Sequence, residues 1–354
     1  MITFIIGNGF DIEAGLRTRY SDFYEEYKII KPDDNAVIAK FKKDIDNDYK
    51  TWADYELAIG KYSGEFSGES GDNSYLDCHI DFTREFDEYL KRQCDGIDFN
   101  STEFNTVANI FYSSLLNFWN YFNTVNRKYM KGFVGDYNTV CFLQFNYTNL
   151  LDTILKKSAN YINNSQSNII MDIGKNIHIH GKMQDKKFPI IMGVNSVEQI
   201  KNTHMRKNED IKELLVKPNT IHMQQEQDPN RESERKIAEE AIEASRIICV
   251  FGASIGETDE YWWGRVGEWL KNSMITVLVI FNIFGVEQAG TDNREYQKNR
   301  NAINAKRKAI KEQFLNLSGL GIDWIEDAAN ENRILVELDT QMFKFGKILS
   351  KKEN

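Results

Sequence analysis

Two histidines and an asparagine are the side chains of this chain best placed to do chemistry. His178-Ile179-His180-Gly181 and Phe145-Asn146-Tyr147-Thr148 each follow an apolar run and put polar groups where a strand should end. Imidazole exchanges a proton near neutral pH, and a carboxamide both donates and accepts hydrogen bonds. His180 is therefore read as a general base or a ribose ligand, with Gly181 opening space beside it. Asn146 is read as orienting a water or binding a ribose hydroxyl, or else as capping the helix that starts near Leu150. Asn149 is the better cap by position, which leaves Asn146 with less structural work. In a strand His178 and His180 would share one face and suit zinc, but no motif supplies a third ligand, so no metal is expected. A hydrogen-bonded core residue is the plainer reading of His178.

Two glycine turns add a second kind of chemistry. Gly7-Asn8-Gly9-Phe10-Asp11 follows Ile2-Thr3-Phe4-Ile5-Ile6, and Gly252-Ala253-Ser254 follows Ile247-Ile248-Cys249-Val250-Phe251. Glycine admits close backbone approach, and free N–H groups at a helix start can hold a phosphate. For the first turn the alternative is a tight bend with Asp11 as helix N-cap. In the second, Ser254 or the backbone would meet phosphate or ribose, while Asp259 or Thr258 caps the next helix. Tyr261-Trp262-Trp263 reads as core packing rather than a base-stacking platform.

These motifs need elements that bring them together. Polar motifs behind β-branched runs imply neighbouring parallel strands with their carboxyl ends on one edge, where open α/β sheets bind ligands. The fold class expected is α/β, a Rossmann-like parallel sheet with an inserted helical subdomain. Further strands are expected around Ile177 to Ile179, over residues 275–281 as a central strand, and over 333–338 as an edge strand. Pro189-Ile190-Ile191-Met192 is a further short apolar run.

Residues 24–134 are rich in Tyr, Phe, Trp, Asp and Glu, and their apolar spacing is helical, as in Leu115, Phe118, Trp119 and Phe122. They form the expected insertion between Rossmann-like parts at 1–23 and 135–350. Within it, residues 63–74 read as a loop. Residues 201–235, polar and holding Pro218 and Pro229, read as a mobile excursion. Helices are expected over 232–245, around Tyr261 to Trp269, and over 294–313. The last carries seven Lys/Arg against Glu295 and Glu312 and reads as a solvated face.

Composition narrows the function classes. With 354 residues and 41% apolar content, the chain can bury one large core. A net charge of −9 argues against broad binding to nucleic acid, which needs a basic face. The four cysteines form no CxxC pair, and Cys141 and Cys249 sit in strand-like runs as reduced, buried thiols, so a cytoplasmic location is expected. No segment offers the roughly 20 apolar residues of a membrane span. Met1 leads straight into a strand without a secretory signal, and is expected to start the fold.

Taken in order, the motifs resemble the AbiH family of bacteriophage abortive-infection proteins, itself distantly similar to sirtuin-like nucleotide-binding domains. The resemblance rests on Ile5-Ile6-Gly7-Asn8-Gly9-Phe10-Asp11 with Gly15-Leu16 and Tyr20-Ser21-Asp22-Phe23, and on Trp52-Ala53-Asp54-Tyr55-Glu56. It continues through Phe145-Asn146-Tyr147-Thr148 and His178-Ile179-His180-Gly181 to Gly252-Ala253-Ser254-Ile255-Gly256-Glu257-Thr258-Asp259-Glu260-Tyr261. The sirtuin likeness implies a site for NAD(P) as substrate or ligand, with no cofactor required. In it Gly7-Asn8-Gly9 stands for the sirtuin glycine turn, Asn146 for the catalytic-loop asparagine, and His180 for the histidine before glycine.

Thr148 departs from the sirtuin aspartate, Asp11 from a usual serine, and Ala253 from the histidine expected in many AbiH relatives. No cysteine quartet follows Gly181, so protein deacylation is not expected. The function implied is a phage-defence effector that hydrolyses NAD at the nicotinamide–ribose bond, with Asn146 and His180 catalytic. The dinucleotide would touch Gly7, Asn8, Gly9, Asp11, Tyr147, Thr148, His178, Gly181, Gly252, Ser254 and Asp259. The alternatives are a nucleotide- or phage-sensing module without catalysis, and a metal-dependent nuclease. A phage-derived trigger, a second defence protein or a homo-oligomer are the further partners expected.

Overall fold

A computed structural model describes residues 1–133, 139–162, 172–220, 234–283 and 293–350. Its sheet is built from β1 (Ile2–Ile6), β2 (Thr139–Gln144), β3 (Asp172–His178), β4 (Ile247–Phe251), β5 (Val277–Asn282) and β6 (Ile334–Leu338). The spatial order is β3-β2-β1-β4-β5-β6, with every pair parallel. This is the doubly wound Rossmann order, in which the winding reverses between β1 and β4 and leaves a crevice at the strands' carboxyl ends. The register makes those ends level: His178, Gln144, Ile6, Phe251 and Phe281 form one row across five strands. The motifs at Gly7, Phe145 and Gly252 therefore start one step beyond a common line, and the His178 motif starts on it.

Both faces of the sheet are covered. Ile2, Phe4 and Ile6 enter one hydrophobic core and Ile5 the other. Strands buried on two faces read as continuous apolar runs, which is why they stand out in the sequence. Thr3 is the polar exception in β1, and it is buried because Ser245 Oγ donates to its hydroxyl at 2.6 Å while it donates to Ala241 O.

The first core lies under α1 (Gly9–Ala14), α2 (Tyr20–Tyr27), α3 (Ala36–Asn47), α4 (Tyr55–Tyr62), α5 (Gly68–Asp95), α6 (Thr102–Leu116), α7 (Thr124–Phe133) and α8 (Leu150–Ile162). Its aromatic centre includes Tyr55 stacked on Phe82 at 3.6 Å, with Phe23, Tyr27 and Phe41 around them. That centre is continuous with Phe4, Phe10 and Phe142 beside the sheet, so the helices between α1 and β2 share one core with the strands. A short α9 (Glu209–Leu215) follows β3, and α10 (Glu234–Glu243), α11 (Glu260–Asn272) and α12 (Asn293–Leu317) accompany the other half of the sheet. From these last three, Ala238, Ile242, Trp263, Trp269 and Phe314 fill the second core.

Several sequence expectations change. Residues 63–74 are not a loop: α5 begins at Gly68, because Tyr75, Cys78, Phe82, Phe86 and Tyr89 give its helix a buried stripe that outweighs weak local propensity. Leu115, Phe118 and Phe122 are buried but lie on no single helix, since α6 ends at Leu116 and a 3-10 turn spans Phe118–Tyr121. The run 189–192 forms no strand. Residues 201–220 are ordered rather than an excursion: Asn202 bonds to Ser63 and Phe66, and Asn208 caps α9. The rest of that segment, 221–233, falls outside the described residues. The edge position expected for the last strand is that of β6. All four cysteines are free and buried, and among the described residues no helix is long and apolar enough to cross a membrane.

Candidate functional site

The carboxyl ends of the central strands open on one cavity of about 700 Å³, within the range of small-molecule sites. Its lining takes Gly7, Asn8, Gly9 and Asp11 from the first turn, and Asn146, Tyr147 and Thr148 from the loop after β2. His180 enters from the loop after β3, and Gly252, Ser254 and Asp259 from the stretch after β4. Of the expected ligand-contacting residues, His178 and Gly181 are not part of this lining.

The glycines of the two turns serve each other. Gly7 N donates to Phe251 O at 2.9 Å, Gly9 N to Gly252 O at 2.8 Å, and Phe10 N to Gly7 O at 3.0 Å. A Cβ on Gly7 would stand 2.3 Å from Ala253 Cα, and one on Gly9 2.6 Å from Gly252 Cα. Close packing of backbone on backbone at the switch point thus accounts for these glycines, and three amides expected to hold phosphate are already bonded within the protein.

Asp11 is not the cap of α1. Asn8 occupies that position, and its side chain pairs with Thr18 instead of the helix. Asp11 lies inside the first turn, fully buried, where it accepts from Asn146 Nδ2 at 3.1 Å and Thr148 Oγ1 at 2.8 Å. Burial pushes its carboxyl up to about 7 against the pull of these two donors. With its nitrogen facing Asp11, the Asn146 side chain has a buried Oδ1 that finds no partner among the described residues.

The two histidines part company because β3 ends at His178, so strand alternation no longer governs His180. His178 Nε2 meets Asp152 Oδ2 at 2.8 Å, away from the cavity. Gly181 has φ +74°, and a Cβ there would stand 1.9 Å from Pro189 O. It admits the Pro189 carbonyl rather than opening space beside His180. His180 is buried beside the Phe145 ring, and its Nε2 lies 3.0 Å from Asp259 Oδ1.

Asp259 holds the N-cap position of α11 but makes no side-chain capping bond. Its carboxylate turns to His180 and to Lys217 Nζ, 2.6 Å away. Lys217 also donates to Glu56 Oε2 at 2.9 Å, and Glu56 accepts from Tyr147 OH at 3.4 Å. Burial raises Asp259, but Lys217 and His180 outweigh it and hold the carboxyl well below the ordinary range. For Glu56 burial prevails over Lys217, and its carboxyl is raised. Lys217 is raised as well, since the two carboxylates more than offset its burial.

Sequence reasoning missed Lys217 altogether, because nothing local separates it from the polar residues around it. Glu56 was visible only as part of the Trp52-to-Glu56 motif. A base with an oriented ring, an unpartnered acceptor and hydroxyl groups around one cavity can hold a polar ligand and move a proton at it. Among the described residues, no three His, Cys, Asp or Glu side chains gather to hold a metal ion.

The family model described as Bacteriophage abortive infection AbiH matches residues 3–281, a span that includes every residue of the cavity motifs. No curated protein matches the chain.

Proposed function

The chain belongs to the bacteriophage abortive infection AbiH family, and from that premise we propose that it is a phage-defence effector that hydrolyses NAD at the nicotinamide–ribose bond. One observation carries the reading: Asn146, His180 and both glycine turns, far apart in sequence, line a single cavity at the switch point of a doubly wound sheet. Dinucleotides bind such crevices. Breaking the glycosidic bond develops oxocarbenium character on the ribose while nicotinamide leaves with the bonding electrons. A water oxygen then bonds to the same ribose carbon and gives its proton to His180, whose ring is held by Asp259. Asn146 Oδ1, lacking a protein partner among the described residues, would accept from that water or from a ribose hydroxyl. Arg19 is the only Lys or Arg among the described residues lining the cavity, so the diphosphate charge is expected to lie toward it.

The test is to incubate the purified protein with NAD and to quantify nicotinamide and ADP-ribose. Asn146→Ala and His180→Ala are each expected to slow release by about 10²-fold or more. Activity that survives both substitutions would overturn the assignment of residues. Tight nucleotide binding by calorimetry with no nicotinamide released would make the protein a sensing module instead. Arg19→Ala is expected to raise KM about tenfold with little change in kcat, as for loss of uniform binding.

A further inference from the structure

Lys217 belongs to none of the motifs, does not line the main cavity, and is nonetheless 3% exposed beside it. The backbone fixes its place. Val194 N donates to Leu215 O at 2.8 Å, and Lys217 N donates to Val194 O at 2.9 Å, a short parallel bridge outside the sheet. Gly193 makes this approach feasible, for at φ +152° a Cβ on it would stand 2.0 Å from Leu215 O.

The ammonium so delivered sits between carboxylates from two distant elements, Glu56 on α4 and Asp259 at the head of α11. An ionised carboxylate only accepts hydrogen bonds, so the His180 nitrogen that meets Asp259 must be the one bearing hydrogen. Without the ammonium, two buried carboxylates would share one enclosure removed from water, and the pair would take up a proton that Asp259 as well as Glu56 can hold. A protonated Asp259 can donate to His180 and move the ring hydrogen to the other nitrogen.

We propose that Lys217 is a positioning residue for His180: by keeping Asp259 an acceptor-only carboxylate it fixes the ring hydrogen on Nε2 and leaves Nδ1 as the basic nitrogen. The inference rests on the reading of His180 as the proton acceptor in the hydrolysis. It adds to that reading which ring nitrogen is the base and which residue outside the cavity selects it.

The experiment is nitrogen NMR of the full chain with labelled histidine, at a pH where the ring is neutral. The chain has five histidines, and the His180 signals are assigned by their loss in His180→Gln. The wild type should show the Nε2–H tautomer. In Lys217→Gln that signal should be lost and the Nδ1–H form should replace it, while Lys217→Arg, which keeps both ion pairs, should restore Nε2–H. An Nδ1–H ring in the wild type, or an unchanged Nε2–H ring in Lys217→Gln, overturns the proposal. If Lys217→Gln does not fold, the wild type and Lys217→Arg decide, since Nδ1–H in either contradicts it. A tautomer switch in a protein that releases no nicotinamide would leave the positioning role standing and remove the hydrolysis. Where hydrolysis is present, Lys217→Gln should lower kcat by about 10²-fold or more with KM nearly unchanged.

Discussion

A buried carboxyl whose partners among the described residues are two neutral donors keeps its proton to an unusually high pH, and Asp11 is in that position. The charge of Asp152 adds to the effect, and Cys94 is a further titratable neighbour. Because the folded state favours protonated Asp11, its contribution to stability is complete below the ordinary carboxylate range and is lost as pH rises through about 7. The full span corresponds to at most about 4 kcal/mol. Asp11→Asn should therefore gain stability relative to the wild type as pH is raised from about 4 to about 8, read from urea midpoints. A wild-type-to-variant difference that stays flat over that interval would show that Asp11 ionises normally in the fold. At this scale the sequence shows which side chains have useful chemistry, but not their partners. Asp11 looks like a cap because aspartate favours helix starts, and only the fold reveals that Asn8 stands there instead.

Elements were easier to recognise than single contacts. Strands β1, β2, β4 and β5 were legible because burial on two faces makes them unbroken apolar runs. The start of α5 was hidden by its Gly/Ser-rich first turn, and Lys217 was hidden because Gly193 and Leu215 meet only in the folded chain. The turns after β1 and β4 likewise look like two separate phosphate loops in the sequence, yet they are one packed unit. Gly252 has φ +68°, and a Cβ on it would lie 2.8 Å from Gly9 Cα and Phe10 N. Gly252→Ala should cost on the order of 2–4 kcal/mol from combined backbone strain and overpacking, measured as a lowered urea midpoint. Wild-type stability in that variant would mean that the two turns have room to separate.

At the scale of the molecule, composition announces a helical region between α1 and β2 but says nothing of what it rests on. Phe10 packs edge-on against Phe111 of α6, and Phe111 in turn contacts Phe142 of β2, so the helices and the sheet are held by the same apolar mass. Unfolding followed by far-ultraviolet circular dichroism and by tryptophan fluorescence should give one coincident transition in urea. Two separated midpoints would mean that the helices fold independently of the strands.

The central place of β1 has a consequence for biosynthesis. Of the six described strands β1 comes first in the chain, yet it lies inside the sheet, and its second neighbour, β4, arrives about 240 residues later, roughly 10–50 s at ordinary elongation rates. Throughout that interval one edge of β1 stays open, inviting chaperones or stray strands. Until then the cavity at the strands' carboxyl ends lacks the wall that Gly252, Ser254 and Asp259 supply.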